Sequence, residues 1–170
     1  MALGLPHLGL ILRRMVQGLR GCRANLGAKQ MAMVMNTQPR WISHTRSLGG
    51  GEAKALSRLL ESLSLKTTIR VAFNNADTLN PTKSESLAKP FSKHAAYVLK
   101  AYVEAMNDPL CVMSLEVRKE LREGLFALCG MMSVHSRDAL MVGGGLDAGG
   151  KGVLKSVWKE WEGVRYVGKG

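Results

Sequence analysis

Apolar residues recur at spacings of three and four along most of the chain, which is typical of amphipathic helices. In the last third of the chain this pattern predicts three helices, over residues 114–132, from near Ser136 for a short stretch, and over residues 148–162. The predicted apolar faces of the two longer helices consist of Val117, Leu121, Leu125, Leu128 and Met132, and of Leu154, Val157, Trp158 and Trp161. By its chemistry alone, this third of the chain is predicted to be a small helical packing unit.

Polar and glycine residues stand where these helices should begin and end. Ser114, Ser136 and Asp147 are predicted N-caps, because their side-chain oxygens can accept hydrogen bonds from the free N–H groups of a first turn. Gly163 fits the residue that follows a helix C-terminus.

The earlier two thirds of the chain show the same periodicity. Helices are predicted over residues 5–19, 28–35, 52–66 and 92–107, with Ser92 as the cap of the last one and a long mobile loop over residues 67–92. The predicted apolar faces of the later two helices are Leu56, Leu59, Leu60 and Leu63, and Ala95, Leu99, Tyr102, Val103 and Met106. The pattern contains no strand of any length, so it predicts an all-α protein of about five to seven helices.

The chain is strongly basic, with a formal net charge of +11 and a pI near 10.0. Such a balance favours an acidic partner, nucleic acid above all. A basic segment whose acidic neighbour lies elsewhere in a larger assembly is the alternative.

Three lysines of the last predicted helix stand at i, i+4 and i+8, and therefore form one basic stripe. Like charges at this spacing cost roughly a few tenths of a kcal/mol per pair, and a polyanion lying opposite would offset that cost. A solvated lysine face is the competing interpretation. Trp161 is a further candidate contact, although a tryptophan on a helical seam more often belongs to the core. The candidate RNA- or partner-binding residues are Lys151, Lys155, Lys159, Trp161, Arg165 and Lys169.

The glycine-rich stretch Gly145–Lys151 has the spacing of a phosphate-binding loop. Such a loop follows a strand and continues with Ser or Thr after the lysine, whereas here the preceding residues are helical in pattern and Gly152 follows. We therefore favour a turn in which Asp147 caps the last helix over a nucleotide-binding module.

No other constellation predicts catalysis, a cofactor or a metal. His135, Ser136 and Asp138 lie on one helical turn, where a nucleophile, its base and the residue orienting that base cannot align. The four histidines are scattered, and three cysteines without a CxxC motif argue for a reducing compartment rather than a disulfide framework. No apolar run is long enough to span a bilayer.

The first 50 residues contain no acidic residue, since the first is Glu52. Composition alone suits a mitochondrial presequence, which is basic, amphipathic and poor in acids. The alternative is one or two helices of a longer helical chain. The Gly-rich residues 47–51 separate this segment, over residues 1–50, from residues 51–170.

Several segments, which together cover about the last two thirds of the sequence, resemble those of a known family. They are EAKALSRLLESLSLKT, SESLAKPFSKHAAYVLKAYVEA, LEVRKEL, GLFALC, HSRDAL, LDAGGK, VLKS, WKEWE and RYVGKG. In these phrases the chain resembles the C-terminal domain of the nucleolar 27S pre-rRNA processing family, large fungal proteins that act early in assembly of the large ribosomal subunit.

The resemblance implies a fold and a function. It implies an antiparallel helical stack at the C-terminal end of a HEAT- or armadillo-like α-solenoid, with residues 51–170 as the family's C-terminal domain and the whole chain as a fragment or shortened copy. It implies a non-enzymatic nucleolar scaffold in early pre-60S particles. Its implied partners are pre-rRNA and assembly factors, including a DEAD-box helicase, without a membrane or a small-molecule substrate. A mitochondrial matrix helical protein with a presequence is the alternative.

Overall fold

A computed structural model describes residues 4–42, 48–68, 84–143 and 145–167. The described residues form seven helices: α1 (Leu5–Gly18), α2 (Ala28–Thr37), α3 (Gly50–Ser64), α4 (Ala88–Asn107), α5 (Leu115–Met131), α6 (Val134–Val142) and α7 (Ala148–Val167). Two short antiparallel ladders join them, β1 (Gly21–Cys22) with β4 (Cys111–Val112) and β2 (Lys66–Thr68) with β3 (Ser84–Ser86). The all-α prediction is confirmed, while the HEAT- or armadillo-like stacking stays a prediction.

Helix α4 is the centre of the packing. It contacts α1, α3, α5, α6 and α7, and α3 packs mainly on α5. Buried residues occupy most of the circumference of α4, and four of them are alanines that allow close approach of the neighbouring helices. Its buried residues are Phe91, Ala95, Ala96, Val98, Leu99, Ala101, Tyr102, Val103 and Ala105.

Helices α1 and α4 run in the same direction. A Cβ atom on Gly9 would lie 3.2 Å from the Cβ of His94, and the Arg13 guanidinium lies 6.0 Å from the centre of the Tyr97 ring. The residue that comes later in α1 thus contacts the residue that comes later in α4, so the two helices are parallel. Their N-terminal halves therefore share one end of the molecule.

The C-terminal ends of α1 and α4 are joined by a nearly buried arginine. One terminal nitrogen of Arg20 donates to Asp108 Oδ2 over 2.9 Å, and the other donates to Thr37 Oγ1 over 2.6 Å. Arg20 thereby also holds the end of α2. Because the Arg20 side chain is only 10% exposed, removing Asp108 would leave a buried charge without its ion-pair partner.

The predicted apolar faces are largely confirmed. All five predicted residues of α5 are buried, as are Leu154, Val157 and Trp158 of α7. In α3 the exception is Leu59, which is 38% exposed, and in α4 it is Met106, which is half-buried.

Three predicted helix ends are wrong. Helix α4 begins at Ala88 rather than Ser92, and the Ser92 hydroxyl donates to the Lys89 carbonyl instead of capping the helix. The N-cap of α6 is Ser133, whose Oγ accepts from the Ser136 N–H over 3.1 Å. Helix α7 continues through Gly163 to Val167, because an exposed glycine lowers helix stability without ending the helix.

The predicted loop over residues 67–92 is shortened from both sides. Thr67 and Thr68 pair with Glu85 and Ser84 in the β2–β3 ladder, and α4 occupies the last residues of the range. Residues 69–83 lie outside the described part of the chain.

Candidate interaction surface on helices α6 and α7

The N-terminus of α7 is capped by Asp147, as predicted. Its Oδ1 accepts from the Gly150 N–H over 2.7 Å, and both of its oxygens accept from the Asn107 side-chain amide, over 2.8 and 2.9 Å. The hydrogen bond from Gly150, followed by that from Asn107, holds the pKa of Asp147 below its usual range. A carboxylate therefore occupies the first turn, where a phosphate-binding loop would hold phosphate, and the preceding element is helix α6 rather than a strand.

Two tryptophans form the seam along which α7 meets the rest of the molecule. Trp158 is 8% exposed and its Nε1 donates to Glu162 over 2.9 Å, so its predicted place in the core is confirmed. Trp161 is half-buried, with its ring centre 5.0 Å from that of Trp158. The role of Trp161 in binding stays a prediction.

An arginine covers each tryptophan. The Arg137 guanidinium of α6 lies 5.0 Å from the centre of the Trp158 ring, and that of Arg165 lies 5.2 Å from the centre of the Trp161 ring. Arg137 also approaches Glu162 at 3.7 Å, which ties α6 to α7. The sequence pattern did not single out Arg137, because its partner lies 25 residues further along the chain.

A cleft of about 360 Å³ runs between α6 and α7. Lys155 and Lys159 line it and are exposed, so the structure places these two predicted residues beside Arg137. The carboxylates of Asp138 and Glu162 line the same cleft. Its charge is therefore mixed rather than purely basic.

Two further candidate residues of α7, Lys151 and Arg165, do not line this cleft. Lys151 is half-buried near the start of α7, and Arg165 is exposed near its end. Lys169 lies outside the described residues. The basic stripe along α7 thus includes one cleft-lining pair and two residues that flank it.

The described part of the chain contains neither a candidate metal site nor a candidate membrane span. Within it, no group of three or more His, Cys, Asp or Glu side chains could hold a metal ion. None of its helices is long and apolar enough to cross a membrane. Cys22, Cys111 and Cys129 are free thiols.

The profile of the Urb2/Npa2 family matches residues 1–169. The chain belongs to this family. The Urb2/Npa2 proteins are nucleolar, associate with pre-ribosomes and act in ribosome biogenesis and pre-rRNA processing. No curated protein and no solved structure matches the chain.

Membership of the Urb2/Npa2 family confirms the resemblance found in the sequence. The match starts at residue 1, so the acid-free first 50 residues are also family sequence. The division into residues 1–50 and 51–170 stays a prediction. For the chain as a whole, the family indicates a role in ribosome biogenesis.

Proposed function

We propose that this Urb2/Npa2-family chain is a non-enzymatic scaffold of early 60S pre-ribosomes that supports 27S pre-rRNA processing in the nucleolus. The observation that carries the proposal is the family match over residues 1–169. The continuous core around α4 suits a scaffold, since it gives surface side chains fixed positions relative to one another.

The proposed mechanism is the display of charged and aromatic side chains. Lys155 and Lys159 project along the α6–α7 cleft, and the Arg137–Glu162 pair fixes the two helices beside each other. The proposed binding residues are Lys151, Lys155, Lys159, Trp161, Arg165 and Lys169. They would contact pre-rRNA or acidic regions of other assembly factors, among which we propose a DEAD-box helicase.

We further propose that the helices take part in a HEAT- or armadillo-like stack. An apolar groove of about 310 Å³ between α1 and α3 supports this proposal. Trp41, which is 61% exposed, lines it together with Leu59. Such a groove offers apolar surface to a further helix, as a solenoid unit offers its face to the next unit.

Sedimentation tests the scaffold proposal. A tagged chain in cell lysate is expected to co-migrate with pre-60S particles in a sucrose gradient at low salt, and less so at high salt, because salt weakens contacts with phosphate. Neutralising Lys151, Lys155 and Lys159 to Gln should reduce co-migration and lead to accumulation of 27S pre-rRNA. Sedimentation at the top of the gradient at both salt concentrations would contradict the proposal.

A further inference from the structure

The face made by α1 and the N-terminal half of α4 is basic for a reason that only the fold reveals. Neither residues 4–42 nor residues 86–103 contain an aspartate or a glutamate. These two stretches are distant in sequence, but α1 packs directly on α4. Two acid-free segments therefore lie side by side, and no carboxylate from either of them offsets their cations.

One side-chain contact, between Arg13 and Tyr97, joins the cations of α1 to those of α4. On α4, four residues at spacings of three and four follow one another along the solvent side: Lys89, Lys93, Tyr97 and Lys100. On α1, the half-buried Arg13 reaches the Tyr97 ring at 6.0 Å, and Arg14 follows it on the exposed side. We call this surface, formed by Arg13, Arg14, Lys89, Lys93, Tyr97 and Lys100, the α1–α4 face.

Most of the charge on the α1–α4 face is uncompensated. Within the described part of the chain, no carboxylate lies within ion-pair distance of Arg13, Arg14, Lys89 or Lys93, and only Lys100 has such a partner, Glu104 at 3.4 Å. The cleft between α6 and α7 differs, because its Arg137 pairs with both Asp138 and Glu162. A polyanion would therefore meet more free positive charge on the α1–α4 face than in that cleft.

An aromatic ring stands in the middle of these cations. Tyr97 is 56% exposed, although tyrosine is a residue that buries considerable area when it can. The Arg13 guanidinium lies over the ring, 6.0 Å from its centre, which is within the range of a cation–π contact. An exposed ring between phosphate-binding side chains is the arrangement on which unpaired bases stack, whereas the bases of a duplex are already stacked on each other.

We propose that the α1–α4 face binds single-stranded RNA, with phosphates on Arg13, Arg14, Lys89 and Lys93 and an unpaired base on Tyr97. This proposal rests on the proposed function in pre-rRNA processing, and it adds a second RNA-binding surface to the stripe on α7. The partner is an RNA rather than an acidic peptide because the exposed ring adds a contact that carboxylates alone do not use.

The proposal is tested on the full chain by fluorescence anisotropy with a labelled single-stranded RNA of about 12 nucleotides, within the range of single-strand site sizes. Three variants each remove three positive charges, so that the change in net charge is matched. The face variant is R14Q/K89Q/K93Q, the stripe variant is K151Q/K155Q/K159Q, and the remote variant is R58Q/R118Q/K119Q, whose exposed residues lie on α3 and α5.

The face variant is expected to bind the RNA at least tenfold more weakly than the unaltered chain. Its slope of log affinity against log salt should be shallower by about 2, because three phosphate contacts are lost at roughly 0.7 each for a single strand. The remote variant should bind within about threefold of the unaltered chain, since loss of net charge alone acts weakly over a screened distance. All three variants should keep their circular dichroism spectra and melting temperatures, because the altered side chains lie on the surface.

A single substitution tests the stacking contact separately from charge. Tyr97→Leu keeps an apolar side chain and the charge, and should weaken single-strand binding about fivefold or more, since stacking on an aromatic ring contributes roughly 1–3 kcal/mol per base. Binding of an RNA duplex of the same length should change less than twofold. Equal losses for both RNAs would overturn the role of Tyr97.

Four outcomes would overturn the proposal. Equal losses in the face and remote variants would mean that only net charge matters. A loss confined to the stripe variant would place RNA binding on α7 and leave the proposed function intact. Competition by poly-glutamate as strong as that by RNA, at equal charge concentration, would identify a site for acidic peptides. A chain that binds no RNA yet co-migrates with pre-60S particles would overturn this inference alone.

Discussion

Helices α3 and α5 approach each other closely at Gly124, which makes this glycine a sharp test of the packing. A Cβ atom added at Gly124 would lie 2.7 Å from the Ser57 Cα and 3.1 Å from a methyl group of Leu60. The Ser57 Oγ also accepts from the Gly124 N–H over 2.8 Å. We therefore expect Gly124→Ala to force the two helices apart.

The magnitude follows from three opposing effects. Carbon atoms in contact normally lie about 3.5–4.0 Å apart, so the methyl group would be almost 1 Å too close to backbone that cannot rotate away. Overpacking of this kind costs about 1–3 kcal/mol, and weakening the hydrogen bond to Ser57 costs roughly 1 more. Alanine recovers about 1 kcal/mol through its higher helix propensity. The free energy of unfolding should therefore fall by about 1–3 kcal/mol, which lowers Tm by roughly 2–12 °C.

Gly130 in the same helix provides the matched control. Its added Cβ would have its nearest neighbour at 4.0 Å, the Trp161 Nε1, so Gly130→Ala gains helix propensity without a clash. We expect this variant to be more stable by about 0.5–1 kcal/mol. Urea unfolding followed by circular dichroism at 222 nm compares the two. A Gly124→Ala chain as stable as the Gly130→Ala chain would refute the close packing of α3 on α5.

Three further predictions test local features. Hydrogen bonds hold the pKa of Asp147 below its ordinary value of 3.8, so this carboxylate stabilises the fold above that value and loses its effect as pH falls through the lower folded pKa. In urea titrations, Asp147→Asn should therefore make the loss of stability at acid pH less steep. Burial raises the pKa of the Cys129 thiol to about 12 and that of Cys111 to about 11. Ellman's reagent at pH 8 should therefore modify only the half-buried Cys22 quickly. Equal modification rates for all three thiols in the native chain would contradict this. Gly163→Ala should stabilise the chain by about 0.5–1 kcal/mol if α7 continues through this position, whereas a loss of stability would restore a helix end there.

The helices and most of their buried faces could be predicted from the sequence because a helix repeats its environment every three to four residues. In α5, five apolar residues at that spacing are all buried. Leu59 of α3 continues such a pattern but is 38% exposed. It lines the open apolar groove beside Trp41, where no other helix of the described chain covers it. Periodicity therefore identifies a face, while the neighbouring helix decides how much of the face is buried.

Helix ends were harder to predict because several residues could serve at each one. Ser133 and Ser136 are three residues apart and both can cap, and the structure uses Ser133, which lets the Ser136 N–H donate to it. For α4, Ser92 has the right side chain for a cap but lies inside the helix, because Lys89 and Pro90 already form the first turn, where proline's missing N–H is tolerated. The choice depends on where the helix packs rather than on the local residues alone.

For the candidate binding surfaces, too, the sequence shows the charges of each helix but not those that neighbouring elements bring near them. A single helix presents its own stripe, so Lys151, Lys155 and Lys159 could be recognised from spacing alone. Whether a stripe is free to bind an anion depends on residues that other elements bring near it, as Glu162 and Arg137 show in the α6–α7 cleft. The α1–α4 face is the opposite case, since neither helix is unusually basic by itself. Its largely unpaired positive charge is brought together only because the two helices pack side by side. A phosphate-binding surface is therefore marked more directly by the lack of carboxylates around its cations in the folded chain than by the lysines of its sequence.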